Sequence, residues 1–422
     1  MCVGSRRWLC KNGDRLNRQL SFVLGSIFCL FAAQTYVFVL IPLAAAEQRL
    51  PGIFIGVLVG VSAGIGLVSD VLVAVISDAI GRRGPMIAGA ACGVLSGILF
   101  ALGSDFPTLL TGAVVFGLAM SLAIGPALAY VTEASTPKDH ARVQGYNGAV
   151  QGMSALAGAL LVGFAVDHFG ARASALLGSV LMGAALILSY QLGETVQRMP
   201  APRTPRRLAG AYVSAARMLV TRPPLQLASL VSLLYGSVVF VIGNAFVPLY
   251  IVRDLGQSAI LAGVLLGGRN LAMTLVSPFF GRIVERHGLL ATMFGACIVA
   301  EVGVVLTAVS GSPAFLFAAL VLQGAGIGFT PAISNILVTS ATERRERALG
   351  FATNSLAARG GSLISPLIFG AILQVADMHA VFVAGGLLGG VYLVAMAGRI
   401  VSSGGAILPI HGGVAVTDDR LR

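Results

Sequence analysis

Residues 53–83 read IFIGVLVGVSAGIGLVSDVLVAVISDAIGRR. From Ile53 to Ser77 the stretch is apolar or small, with Asp70 as its one charge. It ends abruptly on Asp78-Ala-Ile-Gly81-Arg82-Arg83. At 1.5 Å per helical residue, about twenty residues cross roughly 30 Å of hydrocarbon. The run therefore reads as a membrane-spanning helix that stops at a charged boundary.

Comparable runs fill the rest of the chain. Spans are expected near 20–45, 53–77, 85–104, 107–131, 144–166, 173–193, 225–251, 258–281, 289–310, 313–338, 349–375 and 380–403. These runs are too long and too evenly apolar for barrel strands, and in hydrocarbon only helices or closed barrels satisfy the backbone. The composition agrees: 56% of the 422 residues are hydrophobic and 11% are charged, where a soluble domain keeps about a quarter charged. The 54 glycines suit helices that must approach closely without a hydrophobic force between them. An all-α polytopic fold of twelve helices is expected.

A net charge of +11 would suggest nucleic acid in a soluble chain. Here the basic residues lie between apolar runs and form no polar face, so no nucleic-acid partner is expected. The first run is too long for a signal-peptide core and reads as a retained helix. Cys2, Cys10, Cys29, Cys92 and Cys297 have no metal-type spacing. Neither metal, disulfide nor cofactor is expected.

Numbering the connecting segments alternately sorts the charges. One side collects 23 basic residues, among them Arg82, Arg83, Lys138, Arg142, Arg286 and Arg347, and the other only Arg49, Arg172 and Arg253. By the positive-inside rule both termini are expected in the cytoplasm, of a cell (inner) membrane. The longest polar segment, 194–224, holds Pro200, Pro202, Pro205, Pro223 and Pro224. It reads as a cytoplasmic linker between six-helix bundles at 1–193 and 225–422, with a short amphipathic helix over Arg207–Val220.

The halves echo each other. Asp78 precedes Gly81 by three residues, and Glu285 precedes Gly288 likewise, at an offset of 207. Arg142 precedes Gly145 as Arg347 precedes Gly350, at an offset of 205. Two landmarks with nearly one spacing indicate a parallel duplication, a known transporter plan.

With Asp78, Gly81, Arg82 and Arg83 in place, and Gly281, Glu285, Arg286 and Gly288 as a second copy, the chain resembles the major facilitator superfamily. Asn354, Gly361 and Pro366 also resemble the family's helix-11 region. Ala74 replaces the leading Gly of the loop signature. Ala113 stands where many proton-coupled exporters carry an Arg, and 152–158 has no proline where antiporters carry one. The resemblance implies two pseudo-symmetric six-helix bundles, a monomer, and a central cavity bordered by helices 1, 2, 4, 5, 7, 8, 10 and 11.

Asp78 sits at a helix end, where it can pair with arginines or with the positive end of a neighbouring helix. With Gly81, Arg82 and Arg83 it reads as a gate, Glu133 being a candidate partner, and Glu285, Arg286 and Gly288 form the second gate. Inside the spans, away from their ends, the charged residues are Asp70, Arg269, Glu301 and Arg359. Each costs about 2.5–3.5 kcal/mol at the bilayer centre, so each is a functional candidate. Asp70 and Glu301 are candidate proton carriers. Arg269 and Arg359 fall near mid-membrane, where guanidinium forks suit a carboxylate or phosphate; the alternative is that Asp70 or Glu301 neutralises them. Gln34 and Tyr36, Asn147 and Gln151, Asn244, Gln323 and Ser355 are expected along the pathway.

The expected function is secondary active transport of a small organic solute by alternating access, as proton-coupled efflux of an anionic compound. Uptake by proton symport, and a transporter-derived sensor or assembly factor, are the alternatives. No HExxH or Gly-Lys-Ser loop supports a membrane enzyme, and no catalytic residue is expected.

Overall fold

A computed structural model describes residues 4–134, 140–194, 214, 217–342 and 347–402. Among them there is no strand. Helices α1 (Gly4–Glu47), α2 (Gly52–Ile80), α3 (Arg83–Leu102) and α4 (Phe106–Ala134) come first. A continuous helical stretch, His140–Tyr190, follows. Its Gly170 has φ 75° and ψ 162°, a conformation that reverses the chain and that a side chain resists. The stretch is therefore two crossings, α5 (140–169) and α6 (171–190). Both lie along α1: a Cβ on Gly158 would run into the Ala32 carbonyl oxygen, and Tyr36 donates to the Ser174 carbonyl at 2.6 Å.

The second half comprises α7 (Pro223–Asp254), α8 (Ala259–His287), α9 (Leu289–Ala308), α10 (Pro313–Ala341), α11 (Arg347–Val375) and α12 (Met378–Ser402). The twelve crossings among the described residues put the start of α1 and the end of α12 on one face of the bundle, the terminal side; the opposite face is the far side. The expected linker falls mainly on 195–213, outside the described residues, as does the chain after 402.

The loops that follow α2 and the charged turn of α8 repeat in detail. Gly81 has φ 102° and ψ 168°, and Gly288, 207 residues later, has φ 81° and ψ 161°. Each ends a helix with a left-handed turn that glycine adopts without penalty. Three departures from regular helix have no counterpart in the expected spans. Residues 234–240, 242–246 and 250–254 of α7 are π-helical, α8 tightens to a 3₁₀ turn at Ser277–Phe279, and α10 breaks at Gly328 and Phe329. In addition, α1 runs on to Gly4, well before the boundary expected at residue 20.

Large apolar side chains point outward from α3, α6, α9 and α12, at helical spacing. On α12 they are Val383, Leu387, Val391 and Val394, with Leu387 70% exposed. These faces meet lipid. Helices α2, α5, α8 and α11 also expose apolar side chains, among them Val68, Phe164, Leu275 and Ile364, and the halves meet along two seams, α2 against α11 and α5 against α8. On the first seam, a Cβ on Gly56 would run into the Pro366 carbonyl oxygen, and one on Gly52 would lie 3.0 Å from the Gln374 nitrogen. On the second, a Cβ on Gly163 would meet the Ala259 carbonyl oxygen. Such backbone contact is how small residues bind helices in a bilayer. It is tightest on the far side, so the halves are closed there.

Candidate functional site

Between the halves lies a cavity of about 370 Å³, within the size range of small-molecule sites. On the first half it is lined by Phe31, Gln34 and Thr35 of α1 and Gln151 of α5. The second half contributes Ser232, Tyr235, Phe240 and Asn244 of α7, Arg269 and Asn270 of α8, Ser334 and Asn335 of α10, and Asn354 of α11. The wall is thus rich in carboxamides and hydroxyls, with aromatic rings from α1 and α7. Among the described residues Arg269 is the one charged group on its wall, and no carboxylate lines it.

The π-helical turns of α7, whose hydrogen bonds span five residues, bring Tyr235 and Phe240 onto the cavity wall, their ring centroids 5.9 Å apart. Phe240 also packs edge-on against Phe38 of α1 at 5.0 Å. Arg269 is 2% exposed. Its Nη2 donates to the Val239 carbonyl at 3.1 Å, while its buried Nε–H has no partner. A Cβ on Gly243 would collide with this guanidinium, so glycine there makes its berth. A charge left partly unsatisfied in a closed wall is costly, and an acceptor entering the cavity would relieve that cost. Toward the terminal side, Asn354 Nδ2 donates to Ser334 Oγ at 2.9 Å and Ser232 Oγ donates to Asn354 Oδ1 at 2.9 Å. That network ties α7, α10 and α11 together.

Gln34, Gln151, Asn244 and Arg269 are therefore on the cavity wall, while other expected pathway residues lie elsewhere. Tyr36 is fully buried, with its hydroxyl committed to α6. Gln323 is fully buried at the α9–α10 contact, and both of its amide atoms lack partners. Asn147 is buried with a partnerless carbonyl oxygen, and Ser355 is exposed beyond the lining. Asn270, Asn335, Asn354, Ser232 and Ser334 line the cavity without having been expected there. Their signal was available: polar residues recurring on helices that the resemblance puts at the centre.

Arg359 is paired. Its Nε donates to Asp70 Oδ2 at 3.1 Å across the α2–α11 seam. The side chains are about one-quarter exposed (22% and 27%), and the guanidinium lies against Gly66. The two arginines are thus in different situations, one neutralised between the halves and one alone in the cavity. Glu301, on the outer helix α9, is 5% exposed, and neither carboxyl oxygen has a hydrogen-bond partner. Its carboxyl group fills a notch left by Gly386 and Gly389 of α12, away from the cavity lining.

At the terminal side, Arg82 bridges three helix ends. Its Nη2 meets Glu133 Oε1 at 2.8 Å, its Nη1 donates to Ser77 Oγ at 2.6 Å, and its backbone N–H donates to Glu194 Oε1 at 2.7 Å. Arg83 donates to the Tyr190 carbonyl at 2.8 Å and stacks over that ring. The Asp78 side chain lies outside the described residues. Glu285 and Arg286 are exposed on the last turn of α8. Among the described residues no group of three or more His, Cys, Asp or Glu could hold a metal.

The model of the Major Facilitator Superfamily matches residues 23–267 and 228–405. No curated protein sequence matches. Among solved structures, the chain is similar to the nucleoside transporter NupG, with TM-score 0.73 and 13% identity over 91% of this chain and 99% of that one. It is also similar to a POT family transporter solved in complex with 5-aminolevulinic acid, with TM-score 0.72 and 14% identity over 93% and 97%. At such identity the likeness is one of fold.

Proposed function

The chain belongs to the Major Facilitator Superfamily, and from that premise we propose that it moves a small organic anion by alternating access, with Arg269 as the anchor of the anionic group. It is a multi-pass membrane transporter. The observation that carries the finer reading is a cavity whose one charge among the described residues is a buried guanidinium, with no acidic residue among them on its wall. A carboxylate accepts the fork of an Arg in two parallel bonds, stronger than neutral ones. The aromatic and carboxamide wall suits an uncharged, partly planar body.

Asp70 is the proposed proton carrier. It is paired with Arg359 at the seam that must open and close, and taking up a proton removes the charge that holds the pair. Glu301 is the second candidate, remote from the cavity. The direction proposed is efflux in exchange for protons, on the likeness of the Asp78–Arg83 loop to those of exporters. Both termini are assigned to the cytoplasm of a cell (inner) membrane on the asymmetry of basic loops, and the transporter is taken as a monomer of two bundles, 1–193 and 225–422, joined by 194–224.

The test is solute flux in proteoliposomes under an imposed pH gradient, with organic anions, cations and neutral compounds. Gradient-dependent movement of anions is expected. Movement of cations or neutral compounds in their place overturns the anion assignment, and indifference to the gradient overturns proton coupling.

A further inference from the structure

We infer that Asp167 is a gate residue of the far side, where its carboxylate caps α8 across the seam between the halves. Asp167 lies near the far end of α5, in the first half. Its Oδ1 accepts the Ala259 N–H at 2.7 Å, and its Oδ2 accepts the Ile260 N–H at 2.8 Å. Those amides open α8, in the second half. First-turn amides have no partner within their own helix, and they form the positive end of its dipole. A carboxylate taking two of them makes charge-assisted bonds. The next amide, that of Leu261, is taken by Ser258 Oγ at 3.1 Å, from its own half. One turn of helix is thus capped jointly, by a residue that moves with it and a residue that does not.

The placement gives this bond its consequence. It crowns the closest α5–α8 approach, where Gly163 meets the Ala259 carbonyl and Gly263 meets that of Ala159. Arg269 lies ten residues further along α8, about 15 Å by the helical rise, so latch and anion anchor share one rigid element. The inference rests on the alternating-access reading: opening the far side separates α5 from α8, and both bonds must then break. On the other seam, Asp70 and Arg359 join α2 to α11 further toward the terminal side, so the two carboxylates restrain different stages of one movement.

The experiment measures far-side separation by electron–electron spin distance in the full-length protein in lipid nanodiscs. Labels go on the exposed far-side positions Ser104→Cys and Gln257→Cys, with the native cysteines replaced. Asp167→Ala is expected to raise the ratio of long to short distances by about tenfold, the shift that one charge-assisted bond corresponds to. Asp167→Asn, which keeps one neutral acceptor, is expected to shift it less. Ser258→Ala removes a cap of the same helix without touching the seam, and is expected to leave the ratio as in the parent. An unchanged distribution in Asp167→Ala, or equal opening in Ser258→Ala, overturns the assignment. Failure of the transport reading appears separately, as absence of flux in the parent protein whatever its distances.

Discussion

At the scale of single residues, Arg269 and Arg359 have opposite environments, and the roles proposed for them rest on that difference. Arg359 has Asp70 at 3.1 Å, whereas Arg269 has one backbone carbonyl and an unsatisfied Nε–H. A pair about one-quarter exposed lies between the surface case, worth up to ~1 kcal/mol, and the buried case, where losing one partner costs about 3–5 kcal/mol. Asp70→Asn leaves Arg359 uncompensated and is expected to destabilise the protein by about 1–3 kcal/mol on those limits. Asp70→Asn with Arg359→Gln is expected to regain part of that loss. A thermal-unfolding double-mutant cycle reads the coupling, and strictly additive losses would remove the pair from the account. Asp70→Asn is further expected to abolish pH-driven accumulation while sparing exchange of labelled for unlabelled solute, because its side chain carries no proton to couple. Arg82 acts at the same scale but locally, holding the ends of α2 and α4 and the segment after α6 through Glu133, Ser77 and Glu194.

At the scale of elements, the seams are built from glycine. Gly56 admits the Pro366 carbonyl, and Gly370 admits Gly52 and Gly56 in return. Gly56→Leu is expected to force α2 from α11 on the far side, lowering the melting temperature and the transport rate together. Gly183→Leu, where an added Cβ meets nothing, is the control; equal tolerance of both changes would contradict the seam. The twelve crossings were legible in the sequence because apolar runs and alternating basic loops are strong, redundant signals. The π-helical turns of α7 and the break in α10 were not, since neither changes hydropathy. The facing of polar side chains was legible only in part. A helix buried in protein on one face and in lipid on the other is apolar all round, so no moment distinguishes Gln34, on the cavity wall, from Tyr36, turned to α6. The part played by Asp167 is not legible in the sequence because, at a span end, it resembles an ordinary boundary charge; only the folded chain brings the α8 amides to it.

At the scale of the whole molecule, the two halves are tied on the far side by backbone contact and by the Asp167 carboxylate, and nearer the terminal side by the Asp70–Arg359 pair. The cavity between them extends from Arg269 toward the polar network of Ser232, Ser334 and Asn354. The repeated glycine turns at Gly81 and Gly288 give the halves equivalent turns at equivalent helix ends, as expected of a duplicated unit. The proposal turns on whether this cavity carries an anion because of Arg269. The deciding measurement is the protein-dependent flux, in proteoliposomes, of size-matched organic carboxylates and their amides, in the parent and in Arg269→Gln. Saturable flux that favours the carboxylate by about tenfold or more, the value of a charge-assisted bond, is expected, with loss of that preference in Arg269→Gln. Equal flux of acid and amide in the parent, or a preference that survives Arg269→Gln, would contradict it.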